Sequence, residues 1–155
     1  MPMRLFLCRH AKAAPGEPDA TRELAPEGRD QARALGELLG AREDGPVLVL
    51  SSPLLRARQT AEAIAEATGA PLRIEERLAP GATAAALVAA LEGEPGPVAT
   101  VGHQPDCSEI AVALSIDISY CHTVIDRTDM PNAIVAGELT DSYDGREALR
   151  GATHQ

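Results

Sequence analysis

Short apolar runs alternate along this chain with longer stretches in which apolar residues recur every three or four positions. Met3 to Cys8 (MRLFLC) is an apolar run that ends in Arg9-His10, the pattern of a buried strand delivering polar residues at its C-terminal end. Ala11 to Pro26 is rich in Pro, Gly and charge and reads as a loop. Gly28 to Ala41 then predicts a helix, with Ala32, Leu35, Leu38 and Leu39 on one stripe and charged residues opposite. Val47 to Leu50 is a second buried strand, stopped by Ser51-Ser52-Pro53. Leu54 to Thr68 returns to helical composition and Gly69 supplies its stop. Leu72 to Leu78 alternates weakly, as a third strand would. Thr83 to Leu91 predicts an Ala-rich helix capped by Thr83. Val98 to Val101 is another buried strand, ending in Gly102-His103, and Pro105 to Leu114 a helix opened by its proline. Ala133 to Leu139 reads as a last strand. Ser115 to Met130 fits neither period, and Asp144 to Gln155 reads as a ragged end.

Strand-then-helix alternation predicts a three-layer α/β/α sandwich around a mostly parallel central sheet. With 155 residues the chain is read as one domain, 1–155, and a domain of that size buries roughly 70% of its unfolded surface. Aromatic residues are so few (Phe6, Tyr120 and Tyr143, with no Trp) that Leu, Val, Ile and Ala must build the core. The same scarcity argues against a stacking platform for single-stranded nucleic acid. A net charge of −9 disfavours nucleic acid and anionic membrane, so any bound phosphate needs a local cationic pocket. No apolar run approaches the roughly 20 residues of a spanning helix, and Met1 to Cys8 is too short and too soon polar for a signal peptide. Cys8, Cys107 and Cys121 have no paired spacing, against a disulfide framework. A soluble cytoplasmic protein is expected.

The chemistry gathers at strand ends, because open α/β sheets bind ligands outside the carboxyl edge of their strands. Arg9-His10 follows the first strand, Ser51-Ser52-Pro53 leads from the second to Arg56, and Gly102-His103 follows the fourth. A parallel sheet brings these to one edge, which assembles two arginines and two histidines in an acidic protein. Each alone has a plain explanation, as a strand-end polar residue or a solvated helix arginine. Their conjunction suggests phosphoryl transfer to histidine. Neutral imidazole is nucleophilic near pH 7, and arginine forks match the charge on the transferring phosphoryl oxygens without requiring a metal or other cofactor.

These segments resemble the histidine phosphatase superfamily, the phosphoglycerate mutase-like fold. Leu7-Cys8-Arg9-His10-Ala11-Lys12 is similar to its Arg-His-Gly signature, in the variant where Ala-Lys follows. The stretch from Ser51 to Ala61 is similar to its second-arginine segment, and Val101-Gly102-His103-Gln104-Pro105 to its second-histidine segment. Arg22-Glu23-Leu24 with Gly28 and Gln31-Ala32 resembles the stretch that opens its first helix. Order and spacing agree from about Met3 to Leu114, and the short length points to the SixA type of phosphohistidine phosphatase. The resemblance implies a phosphoacceptor at His10, with Arg9, Arg56 and His103 binding phosphoryl oxygens. Arg56 is preferred to Arg58, which would then lie on the helix surface. It implies a phosphohydrolase acting on phosphohistidine in a protein through a covalent intermediate.

Departures from the pattern shape the other expectations. Glu75 and Glu76 stand where phosphoester-cleaving relatives place a proton donor, but here read as solvated. Ala11 replaces the common glycine, and Lys12 adds charge near the pocket mouth or is a plain loop lysine. Tyr120, Cys121 and His122 form either a rim or a loop, and His154 is read as disordered. A broad phosphomonoesterase acting on small phosphorylated substrates, or a non-catalytic phosphate-binding module, would use the same site. A metal site from Cys8, His10, His103 and Cys107 is the least favoured reading, since free cysteine is commonly a small buried hydrophobe. Dinucleotide and P-loop readings lack their glycine fingerprints. Oligomeric state and the physiological substrate are not legible.

Overall fold

The computed structural model describes residues 3–113 and 134–139. Strands β1 (Met3–Arg9), β2 (Leu48–Ser51), β3 (Leu72–Ile74), β4 (Val98–Gly102) and β5 (Ile134–Leu139) form a sheet of order β3-β2-β4-β1-β5. The first four are parallel, and β5 runs antiparallel beside β1, with Met3 opposite Leu139. Between them run helices α1 (Pro26–Gly40), α2 (Leu55–Thr68), α3 (Ala84–Leu91) and α4 (Asp106–Ala113).

Both faces of the sheet are covered, which is why its central strands are apolar without alternation. Phe6, Cys8, Val49, Ala99 and Val101 face one way, onto Leu35 and Leu39 of α1 and Ala57, Ala61 and Ile64 of α2. Leu5, Leu7, Leu48, Leu50 and Val98 face the other way, onto Leu87 and Leu91 of α3 and Ile110 and Ala111 of α4. The expected three-layer sandwich is therefore the observed fold. Phe6 is fully buried at its centre, and the other buried hydrophobic residues among those described are aliphatic side chains and two cysteines.

Local chemistry explains most boundaries. Pro26 opens α1 from its first turn, and Gly69 ends α2 at φ 77°, a conformation glycine adopts without steric penalty. The Thr83 hydroxyl accepts from Ala86 N–H and caps α3. Two expectations are corrected. The third strand stops at Ile74, because Glu75 accepts from Arg77 N–H and turns the chain into a 3-10 turn over Glu76–Leu78. Leu38 is exposed, since α1 meets α2 through Ala32, Leu35, Gly36 and Leu39 and leaves Leu38 off that line.

Gly28 lies on the buried face of α1, where the Lys12 carbonyl crosses so closely that no Cβ fits. That carbonyl also accepts from Ala25 N–H at 2.9 Å, and Lys12 N–H donates to Gln31 Oε1 at 3.0 Å. The segment after β1 is thus pinned to the first turns of α1. Gly28→Ala is expected to destabilise the fold by about 1–3 kcal/mol, the range for overpacking a close contact. Gly16→Ala, whose added methyl meets only Arg22 Cγ at 3.7 Å, should stay within about 0.5 kcal/mol of wild type. Chemical denaturation midpoints of the two variants check both.

Candidate active site

Adjacent parallel strands end side by side: Arg9 is paired with Gly102 across β1 and β4, and Ser51 with Val101 across β2 and β4. The stitching continues one residue past the strands. His10 N–H donates to the Gly102 carbonyl at 3.0 Å, and Ser52 N–H to the Val101 carbonyl at 2.9 Å. Three segments far apart in sequence thus meet at the carboxyl edge of the sheet.

His10 is half-buried there with both ring nitrogens engaged. Nδ1 lies 2.6 Å from the Ala11 carbonyl. A carbonyl only accepts, so this contact places the ring proton on Nδ1 and leaves the Nε2 lone pair free. Arg56 Nε–H donates to that lone pair at 3.3 Å. Burial pushes the pKa of His10 below its ordinary 6.5, and the Arg56, Arg9 and Arg22 cations push the same way against the Ala11 hydrogen bond. The ring is neutral at pH 7, with its basic nitrogen turned toward a guanidinium.

Arg56 sits in the first turn of α2, 6% exposed. Its guanidinium has five N–H donors in a planar fork. Besides the Nε contact, Nη1 donates to the Asp19 carbonyl at 2.9 Å and Nη2 to Asp19 Oδ2 at 3.1 Å. Thr60 fixes the helix beneath it: its hydroxyl donates to the Arg56 carbonyl at 2.9 Å and accepts from Ala11 N–H at 3.0 Å. A single side chain therefore couples the arginine's helix turn to the histidine's loop.

His103 faces His10 with ring centroids 5.3 Å apart. Its Nε2 is 2.7 Å from the buried Ser52 hydroxyl, which also accepts from Leu54 N–H. The Ser52 hydroxyl has no other acceptor among the described residues, so its proton goes to Nε2 and the ring proton to Nδ1. Nδ1 is buried and meets no partner among the described residues. Burial, then the proximity of His10 and Arg56, lowers the pKa of His103 to about 4. Arg9 is half-buried, and its Nε is likewise buried without a partner among the described residues. Three arginine charges, from Arg9, Arg22 and Arg56, therefore act at one point of a protein whose net charge is −9.

The structure thus brings together Arg9, His10, Arg56 and His103, and adds residues that sequence reasoning passed over. Asp19 had no signal beyond lying three residues before Arg22, and Ser52 none beyond ending a strand. Gln59 also holds the site loop, its side-chain oxygen accepting from Leu24 N–H at 2.7 Å. Ala11 is fully buried against Leu24 and Ala32, so its methyl fills space that glycine would leave empty. Arg58 is half-buried rather than on the helix surface, and its Nε meets no partner among the described residues.

Other candidates are occupied elsewhere. Lys12 forms an exposed ion pair with Glu27. Glu75 is paired with Arg77 through both carboxylate oxygens and is held below the usual carboxylate range by it, while Glu76 is exposed. Cys8 lies in the apolar cluster beneath α1 and α2, and burial raises its thiol pKa. Burial also pushes Cys107 up to about 12. Among the described residues no three His, Cys, Asp or Glu side chains are grouped to hold a metal ion. No described helix is long and apolar enough to cross a membrane. Ser115 to Met130, with Tyr120, Cys121 and His122, and also His154, lie outside the described residues. A groove of about 740 Å³ between α1 and α2 is lined by none of Arg9, His10, Arg56 or His103.

The sequence profile of the histidine phosphatase superfamily (branch 1) matches residues 5–80. The structure of the protein histidine phosphatase SixA complexed with tungstate superimposes with a TM-score of 0.65 at 28% identity, over 72% of this chain and 76% of that one. An uncharacterised protein of Picosynechococcus sp. is 38% identical over 124 residues, 73% of each chain. Glucosyl-3-phosphoglycerate phosphatase of Mycobacterium tuberculosis is 46% identical over 56 residues, 36% of this chain but only 24% of that protein's length.

Proposed function

Because the chain belongs to the histidine phosphatase superfamily, we propose that it is a phosphatase that transfers the phosphoryl group of a protein phosphohistidine to His10 and then to water. One observation carries this reading. Arg56 Nε–H touches the Nε2 lone pair of a ring whose other nitrogen is tied to the Ala11 carbonyl. The atom able to attack phosphorus is thereby placed among the charges that would hold its oxygens.

In the first step His10 Nε2 forms a bond to phosphorus as the bond to the leaving group breaks in line. Arg9, Arg56 and the Nδ1–H of neutral His103 donate to the phosphoryl oxygens as charge spreads over them. In the second step water attacks phosphorus and the His10 N–P bond breaks. The phosphoryl group plus water leaves as dihydrogen phosphate, and His10 returns neutral. The arginines supply the positive charge, so the reading requires no metal.

The leaving group separates the substrate classes. A phosphohistidine protonated on its second ring nitrogen departs as neutral imidazole and needs no proton from the enzyme. An alkoxide does need one, and Glu75, which stands where phosphoester-cleaving relatives place a proton donor, is committed to Arg77 and to its own turn. The likeness to SixA supports the same choice. The 56-residue match to glucosyl-3-phosphoglycerate phosphatase favours the alternative, a small phosphate ester.

Phosphate release from a phosphohistidine peptide, para-nitrophenyl phosphate and a panel of sugar phosphates, with and without chelator, tests the reading. The expected result is chelator-insensitive release with the highest kcat/KM on the phosphohistidine peptide. Preference for a sugar phosphate would establish the small-molecule alternative. Stoichiometric phosphate binding without turnover would make the domain a binding module.

A further inference from the structure

On the catalytic assignment just proposed, we infer that Asp19 is a positioning residue: it clamps one edge of the Arg56 guanidinium so that the rest of the fork faces His10 and the phosphoryl group. Asp19 gives Arg56 two acceptors at once, its own carbonyl at 2.9 Å and Oδ2 at 3.1 Å. Five N–H donors less one to His10 and two to Asp19 leave two, one on each terminal nitrogen. Those two are the donors available to phosphoryl oxygens.

The clamp is itself braced. Asp19 Oδ1 accepts from Arg22 Nη1 at 3.1 Å, and Arg22 Nε donates to the Ala14 carbonyl at 2.9 Å. Ala14 N–H in turn donates to the Glu23 carbonyl at 2.8 Å, and Ala13 bridges Leu24, closing the loop at its base. One carboxylate thus links two arginines to a loop whose stem follows directly from His10. A buried guanidinium needs a standing counter-charge when no substrate is present. Asp19 supplies it without touching His10 or the unpartnered nitrogens of Arg9 and His103.

The alternative for the same contact is an anionic plug that a phosphate must displace. The two make opposite predictions. If Asp19 positions Arg56, its removal lets the fork swing, and the chemical step slows while binding changes little. If Asp19 plugs the site, its removal tightens phosphate binding and speeds turnover.

Asp19→Ala and Asp19→Asn, each alone and combined with Arg56→Ala, decide the matter through kcat and KM for the best substrate and through inorganic phosphate affinity by calorimetry. Removing the counter-charge of a buried guanidinium lowers stability, so melting temperatures are measured for every variant and kinetics are read well below the lowest of them. Asp19→Ala should lower kcat about 10- to 100-fold with KM changed less than about threefold, as for a misplaced catalytic group. Asp19→Asn, which keeps a side-chain oxygen for Nη2, should recover most of the loss. With Arg56→Ala present, Asp19→Ala should add less than about a twofold effect, since the two act as a unit. Equal losses in both backgrounds, wild-type kcat in Asp19→Ala, or tighter binding with faster turnover would each overturn the proposal. If the wild-type protein releases no phosphate from any substrate, the catalytic reading fails instead. The Arg56 guanidinium NMR signals then decide the clamp: faster rotation about Nε–Cζ in Asp19→Ala than in wild type upholds it, and equal mobility in both overturns it.

Discussion

His10→Ala is expected to abolish the phosphoenzyme and to lower kcat by at least about 10⁴-fold, the scale of loss when a covalent nucleophile is removed. Among the described residues no neighbour can replace it: the other imidazole there, His103, is 5.3 Å away between centroids, with its Nε2 held by Ser52. Rapid-quench labelling with a phosphorus-labelled substrate should show an acid-labile, base-stable adduct in wild type and none in the variant. Retention of label or turnover would place the nucleophile elsewhere. The wild-type pH profile provides a second check. In the proposed mechanism only neutral His10 can attack, and burial together with Arg56, Arg9 and Arg22 holds its pKa below 6.5. Activity is therefore present above that lowered pKa and lost as pH falls through it. After allowance for the substrate's own ionisation, the acid limb of kcat/KM should lie below pH 6.5, and a limb above it would contradict the desolvated ring.

Arg56→Lys is expected to lower kcat by about 10²- to 10³-fold, as for loss of a preorganised donor to developing charge. Charge is conserved in this substitution, so the loss reports geometry. A lysine ammonium is a single point with three donors and cannot reach His10 Nε2, the Asp19 carbonyl and Oδ2 together as the planar fork does. The neighbouring Arg58→Lys should retain activity within about threefold, since a substitution away from the reacting groups has a small effect. Steady-state kinetics on both variants test the choice between these arginines. If Arg58→Lys were the more damaging, the fork assigned to phosphoryl binding would be the wrong one.

Much of the site was legible because its parts fall at strand ends, and strand ends are marked by abrupt changes from apolar to polar residues. Arg9-His10 and Gly102-His103 follow runs too apolar to be anything but buried strands, and a parallel sheet must bring their carboxyl ends to one edge. Arg56 was legible through its segment rather than its own character, since nothing local separates it from Arg58. The contacts that set the chemistry left no comparable trace. Thr60 and Gln59 resemble ordinary helix residues until their partners, Ala11 N–H and Leu24 N–H, are seen 49 and 35 residues away. Asp19 opens a 3-10 turn within a loop whose composition marks it as a connection but does not say where its carboxylate goes.

The sequence by itself determined the layers, the elements and the histidine–arginine edge, because hydrophobic period and turn chemistry are local and each residue carries its own part of them. Tertiary structure alone decided which ring nitrogen of His10 is free, which edge of Arg56 is clamped and which carboxylates are spent on other arginines. It also ended β3 early and turned Leu38 outward. Those outcomes depend on angles and distances of a few tenths of an ångström between segments tens of residues apart. Hydrogen bonds and ion pairs are directional and short-ranged, so their pattern exists only once packing has fixed where each partner stands.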